Sequence, residues 1–323
     1  MLEDKNFIIS IIMTILFIVT LIFYYHYKNS HYTIDVFIHK SSHYFKTENY
    51  MQAIRYYKKL IMMGVKTDKI YTNTAISFIR MGYYKTATKY LLDMEKNLLP
   101  TSEMYYLLGF SYYSQMKVYK LSDYNIPIQY LEKSLDLDKR NKESYILLGK
   151  IYEEKNEFIE ARKWYKNALL EKIDNSKFYG LIANTYFKEN RFKDATEYYN
   201  KAISNNKNYI SAYYNMAEIY IVQQNFDKAI EYLKKVIEID PQYIYPYSKI
   251  GNLYFAQENY ETAIDWYLQA LKIEPKEAIV NYYTGISYKK LNMLKKAVKH
   301  LKLAAYCGND DAVKELRTMS ETL

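Results

Sequence analysis

A chain of 323 residues with 45 Lys and Arg against 36 Asp and Glu carries a formal net charge of +9. Its single cysteine, Cys307, excludes an intrachain disulfide framework, and its eight glycines build no phosphate-cradling loop. The basic residues are scattered among 41 tyrosines rather than gathered in a block, which describes a solvated face and sets aside nucleic acid as an expected partner.

After a six-residue tail, residues 7–25 contain no charge and are rich in Ile, Leu, Phe and Val. At about 1.5 Å per helical residue this run nearly matches a hydrocarbon core of about 30 Å. No small-x-small cleavage pattern follows it and no cysteine lies near its end, so it reads as an uncleaved transmembrane anchor. Tyr24, Tyr25 and Tyr27 fall where interfacial aromatics are expected. Lys5 precedes the run, whereas Lys28, Lys40 and Lys46 follow it. That balance favours a single-pass protein with its array in the cytoplasm, with an exported array as the alternative. Residues 26–33 form a juxtamembrane linker.

From residue 34 a fixed period takes over. Ala161, Ala195, Ala229, Ala263 and Ala297 are spaced by 34, as are Ala53 and Ala87; the step from Ala87 to Ala161 is 74, so one repeat holds six extra residues. Nine residues before each alanine stands an aromatic (Tyr44, Phe78, Tyr152, Tyr186, Tyr220, Tyr254, Tyr288), and three before that a small residue (Ser41, Ala75, Gly149, Ala183, Ala217, Gly251, Gly285). Four after each alanine comes Tyr57, Leu91, Tyr165, Tyr199, Leu233, Tyr267 or Leu301. Spacings of three, four and seven place these residues on single helical stripes, two amphipathic helices to a repeat. Gly82, Asn156, Asn190 and Asn292 stand at the turn between the two helices, where a left-handed residue is favoured. Pro241 and Pro275 lie just past second helices, where the helix cannot continue.

These columns resemble the tetratricopeptide repeat family. The stretch from Tyr247 to Pro275 carries its whole pattern in Tyr247, Gly251, Tyr254, Ala263, Tyr267, Ala270 and Pro275. The resemblance implies an all-α, right-handed α-solenoid of about eight helix-turn-helix repeats, at 34–67, 68–101, 102–141, 142–175, 176–209, 210–243, 244–277 and 278–311. The repeat at 102–141 has Pro127 in the alanine column and Ser134 in the second small column. Its extra residues fall near 117–124, in a longer surface loop, with Asn125 as cap of the next helix. Residues 312–323 form a capping helix whose apolar face is Ala312, Val313, Leu316 and Met319.

In this family the first helix of each repeat lines a peptide-binding groove. The resemblance points there to Lys177, Asn184, Phe187 and Lys188, to Tyr214 and Asn215, and to Lys249 and Asn252. One subfamily clamps a peptide's terminal carboxylate with two asparagines and three basic residues. Asn184 and Asn215 match its asparagines and Lys249 replaces an arginine, while Gly180 and Tyr245 stand where the other bases would be, so the clamp is partial. Upstream, Tyr106, Phe110 and Tyr113 suggest an apolar floor for bulky anchors. His39 and His43, four apart, lack a third partner for a metal, and no catalytic set or cofactor is implied. The expected function is a membrane-anchored scaffold, or an assembly or chaperone-like adaptor, that binds protein segments. The alternatives are an exported-side accessory subunit of an envelope enzyme or lipid-handling complex and, third, an RNA-binding helical repeat.

Overall fold

The computed structural model describes residues 16–22 and 32–322, and among these every regular element is a helix. Two compact units divide the chain between Lys155 and Asn156. The first holds α1 (32–46), α2 (Tyr50–Met62), α3 (Asp68–Arg80), α4 (Tyr84–Asn97), α5 (Ser102–Tyr119), α6 (Asn125–Leu137) and α7 (Lys142–Glu154). The second holds α8 (Phe158–Leu170), α9 (Asn175–Lys188), α10 (Phe192–Asn205), α11 (Ile210–Val222), α12 (Phe226–Ile239), α13 (Ile244–Ala256), α14 (Tyr260–Ile273), α15 (Ala278–Lys290), α16 (Leu294–Tyr306) and α17 (Asp310–Thr322).

Within each unit, consecutive helices pack on one another, and α3 also touches α5, α5 touches α7, α9 touches α11 and α13 touches α15. The alanine column makes this close packing possible. Ala53, Ala87, Ala161, Ala195, Ala229, Ala263 and Ala297 are all fully buried, because a methyl group is the largest side chain that two helices this close can hold between them. Gly251 shows how tight the small column is. A Cβ built there would lie 2.4 Å from Cε1 of Tyr267, a ring that is itself fully buried.

The turns are set by a backbone device that repeats with the same period. Glu48, Gly82, Asn156, Asn190, Gln224, Glu258 and Asn292 all adopt a left-handed conformation with φ between 58° and 79°. The residue after the left-handed one donates its N–H back to the aromatic column, as Tyr83 does to the Phe78 carbonyl (2.8 Å), Asn225 to Tyr220 (2.8 Å) and Asn259 to Tyr254 (3.0 Å). This bond closes a Schellman motif, and the side chains of Asn49, Asn225 and Asn259 then cap the second helices. Glycine and asparagine accept the left-handed conformation readily, but Glu48, Gln224 and Glu258 hold it against a Cβ clash of about 1.5 kcal/mol. Glu258→Gly is therefore expected to stabilise the second unit by about 0.5–1 kcal/mol, after glycine's extra unfolded-state entropy is subtracted. Urea unfolding followed by far-UV circular dichroism reads this as a higher midpoint, with Asn190→Gly giving the smaller gain.

The inserted residues depart from a simple surface loop. Part of the insertion extends α5 to Tyr119, and only residues 120–124 form the connection. Tyr113 donates to Glu154 Oε1 (2.6 Å), Tyr124 donates to Glu154 Oε2 (3.3 Å), and Lys117 Nζ lies 3.2 Å from the same carboxylate. Burial pushes the Glu154 carboxyl up, but these three donors outweigh it and hold the group below its ordinary value. Asn125 is not the cap of α6. It is the first helical residue, and its N–H is taken by Asp123 Oδ1 at 3.0 Å. Ser134, in the column that holds Ala168, Ala202, Ala270 and Ala304, joins Ser102 and Ser144 in a largely buried network at 2.8–3.0 Å.

At the far end of the second unit, Ala312 and Met319 of α17 are buried against α16 and its neighbours, with Leu316 partly buried beside them. At the other end of the chain, residues 7–15 and 23–25 of the expected anchor lie outside the described residues. Residues 16–22 are helical and exposed. Among the described residues no helix is long and apolar enough to cross a membrane.

Candidate functional site

In the second unit, α9, α11, α13 and α15 are the first helices of successive pairs, and the residues expected to bind lie along them. Asn184 and Asn215 meet, with Asn215 Nδ2 donating to Asn184 Oδ1 at 2.9 Å. The same oxygen also accepts from the hydroxyl of Tyr199 at 2.6 Å. The carbonyl end of Asn184 is thereby committed to the fold, with a buried core tyrosine holding it in place. Asn252 repeats the arrangement two pairs later, accepting from Tyr267 at 2.7 Å. Lys249 does not stand free as a carboxylate receptor would require, because its Nζ lies 3.0 Å from Glu218 Oε1, a buried oxygen. Lys177 is half-buried and Lys188 exposed. Phe187 is half-buried against Phe192, with ring centroids 5.7 Å apart.

A cleft of about 340 Å³ opens between α11, α13 and α15. Tyr214, Tyr245, Lys249 and Asn252 line it together with Tyr267, Tyr283, Glu274 and Glu277. Tyr245 is 61% exposed at its rim. Burial, helped by the nearby Glu218 carboxylate, pushes the Tyr214 hydroxyl up to about 12, so it stays a neutral donor. Glu277 caps α15 by accepting the N–H of Val280. Asn281 holds the turn that carries both glutamates, donating to the carbonyls of Pro275 (3.0 Å) and Glu277 (2.9 Å). Its Oδ1 faces His300 Nδ1 at 2.9 Å. With both amide hydrogens of Asn281 spent, that histidine nitrogen is the donor. Burial, and then the positive charge of Lys299, hold His300 below its ordinary value and so favour the neutral ring that this bond needs.

In the first unit the three α5 aromatics expected to form the groove floor fall into two classes. Tyr106 and Phe110 are half-buried, with ring centroids 6.2 Å apart. Tyr113 is buried, and its hydroxyl is spent on Glu154, so it secures the long α5 and is not a surface anchor.

Glu274, Glu277 and Tyr283 were not singled out by the sequence pattern. Glu274 and Glu277 lie in the turn between α14 and α15, outside any helix-face template. A signal was present, since Glu277 stands immediately before a helix, where an acceptor is favoured.

Family models described as tetratricopeptide repeat match residues 142–172, 176–209 and 208–276, and they support that family. No curated protein matches the chain. Among solved structures the chain is similar to MamA, with 24% identity, 52% of this chain and 92% of that one covered, and a TM-score of 0.44. It is also similar to the C-terminal part of a TPR repeat-containing protein from Cytophaga hutchinsonii, with 18% identity, 85% and 97% covered, and a TM-score of 0.48. A third is YrrB, described as a TPR protein with an unusual peptide-binding site, with 18% identity, 58% and 97% covered, and a TM-score of 0.45.

Proposed function

We propose that the chain is a protein-interaction scaffold that takes peptide segments on the first-helix face of its second unit, around α11, α13 and α15. The observation that carries this reading is a division of labour between helices. The second helices spend their alanine columns on the core, whereas the first helices line an open cleft with tyrosine, amide and charged groups. Rigid aromatic rings beside a few oriented polar groups are what an extended peptide needs for anchoring and register. Tyr106 and Phe110 in the first unit belong to the same reading as apolar anchors for a partner.

The test is cross-linking capture by the full chain, with partners quantified by mass spectrometry. Tyr245→Ala together with Asn252→Arg is expected to remove a defined partner set while leaving the circular dichroism spectrum intact. An unchanged partner set would sink the placement on this face.

The apolar run at 7–25 adds the proposal that the scaffold works at a membrane. Carbonate extraction of membranes is expected to leave the full chain in the pellet and to release a chain lacking residues 1–31.

A further inference from the structure

The partial clamp read across Asn184, Asn215 and Lys249 would receive an anion, but the charges of the cleft between α11, α13 and α15, which shares Lys249, run the other way. Among the described residues Lys249 is the one basic side chain lining it, and it is already paired with Glu218 at 3.0 Å. Glu274 and Glu277 also line the cleft, so the neutralised lysine leaves two carboxylates facing any occupant. Glu277 uses one oxygen to cap α15, but its charge remains. An incoming carboxylate would meet these like charges at close range and lose hydration in doing so.

The walls are aromatic. Tyr214 lies tilted against Tyr243 (6.2 Å), which meets Tyr245 edge-on (5.5 Å), while Tyr267 and Tyr283 lie nearly parallel at 6.3 Å across the floor. Tyrosine faces carry negative potential and attract cations, an attraction that grows when the cation is partly desolvated. The Asn252 and Ser248 side chains add polar groups on α13, and Tyr267 holds the Asn252 amide in place. A cleft of about 340 Å³ suits one long side chain rather than a folded ligand. We infer that this cleft is a receptor for a basic side chain, lysine or arginine, presented by a peptide segment, with Tyr214, Tyr245 and Tyr283 around its stem and Glu274 and Glu277 at its head. This deepens the peptide-binding reading above and rests on it.

The two readings separate in one experiment. A bead library of random octapeptides with free C-termini is screened with the fluorescently labelled full chain, and the enriched peptides are sequenced and titrated. The expected result is enrichment of Lys or Arg at one position, independent of C-terminal amidation. The Glu274→Gln, Glu277→Gln double variant should then bind those peptides about tenfold more weakly. Glutamine keeps an oxygen to cap α15, so an unchanged melting curve shows that the fold is intact. Enriched peptides that need a free C-terminal carboxylate, or that lack a basic residue, would overturn the cationic receptor while leaving peptide binding standing. Basic peptides that bind the double variant as well as the native chain would overturn the placement in this cleft. No enrichment on the native chain would overturn the peptide-binding reading and this inference with it.

Discussion

Truncating Tyr199 to alanine is expected to destabilise the second unit by about 3–5 kcal/mol, the range for deleting a large buried aromatic. The ring is 1% exposed and packs among Ala183, Ala202, Ala212 and Met216, residues drawn from α9, α10 and α11. Alanines cannot lean in to fill the void, so most of the cavity would persist. The hydroxyl adds a second effect, since it donates to Asn184 at 2.6 Å in a site where burial strongly favours the neutral phenol. Tyr199→Phe removes that bond alone and is expected to cost about 1 kcal/mol. In a stack where each helix leans on its neighbours, the damage concentrates locally. Hydrogen exchange resolved by peptide should show protection lost in α9, α10 and α11 for Tyr199→Ala and largely kept for Tyr199→Phe. A double-mutant cycle of Tyr199→Phe with Asn184→Ala is expected to show coupling of about 1 kcal/mol, because the two groups share one hydrogen bond. Zero coupling would mean that Asn184 is not held by the core.

That bond also marks how far the sequence could be read. The alanine, aromatic and small columns were legible because each is a steric demand that recurs from one helix pair to the next. The left-handed turn was legible where it fell on Gly82, Asn156, Asn190 and Asn292 and hidden where it fell on Glu48, Gln224 and Glu258. There the Schellman bond and, one residue on, an asparagine cap fix a conformation that the residue's own preference does not announce. The first-helix face was legible as a register, and residues read onto it do meet, as Asn184 and Asn215 do. Its electrostatics were not. The partner of Lys249 is 31 residues away on another helix, the hydroxyl that occupies Asn184 comes from the second helix of its own pair, and two lining carboxylates sit in a turn. Charge at a cleft is a sum over elements brought together in space, and a one-dimensional template reads one element at a time.

The second large effect is expected at Arg162, which no column singled out. It follows Ala161 on α8 and is 6% exposed, with its guanidinium 2.5 Å from Glu189 Oε2, 3.3 Å from Thr185 Oγ1 and 4.3 Å over the ring of Tyr186. Thr185 and Tyr186 lie on α9 and Glu189 is its C-cap, so one cation fastens two helices. A buried guanidinium cannot shed its proton to escape the cost of burial, so its stability depends on the carboxylate. Glu189→Ala is expected to cost about 3 kcal/mol, the low end of the range for breaking a buried pair, because Glu189 keeps a quarter of its side chain in water. Arg162→Met leaves only that partly hydrated carboxylate behind and retains the packing on Tyr186, so it is expected to cost about 1 kcal/mol. The double variant, Arg162→Met with Glu189→Ala, should then be more stable than Glu189→Ala alone, although it carries one more substitution. Urea midpoints for the three variants decide the matter. If the double variant is the least stable of the three, the pair contributes by ordinary packing, and the unpaired buried charge is not the source of the loss.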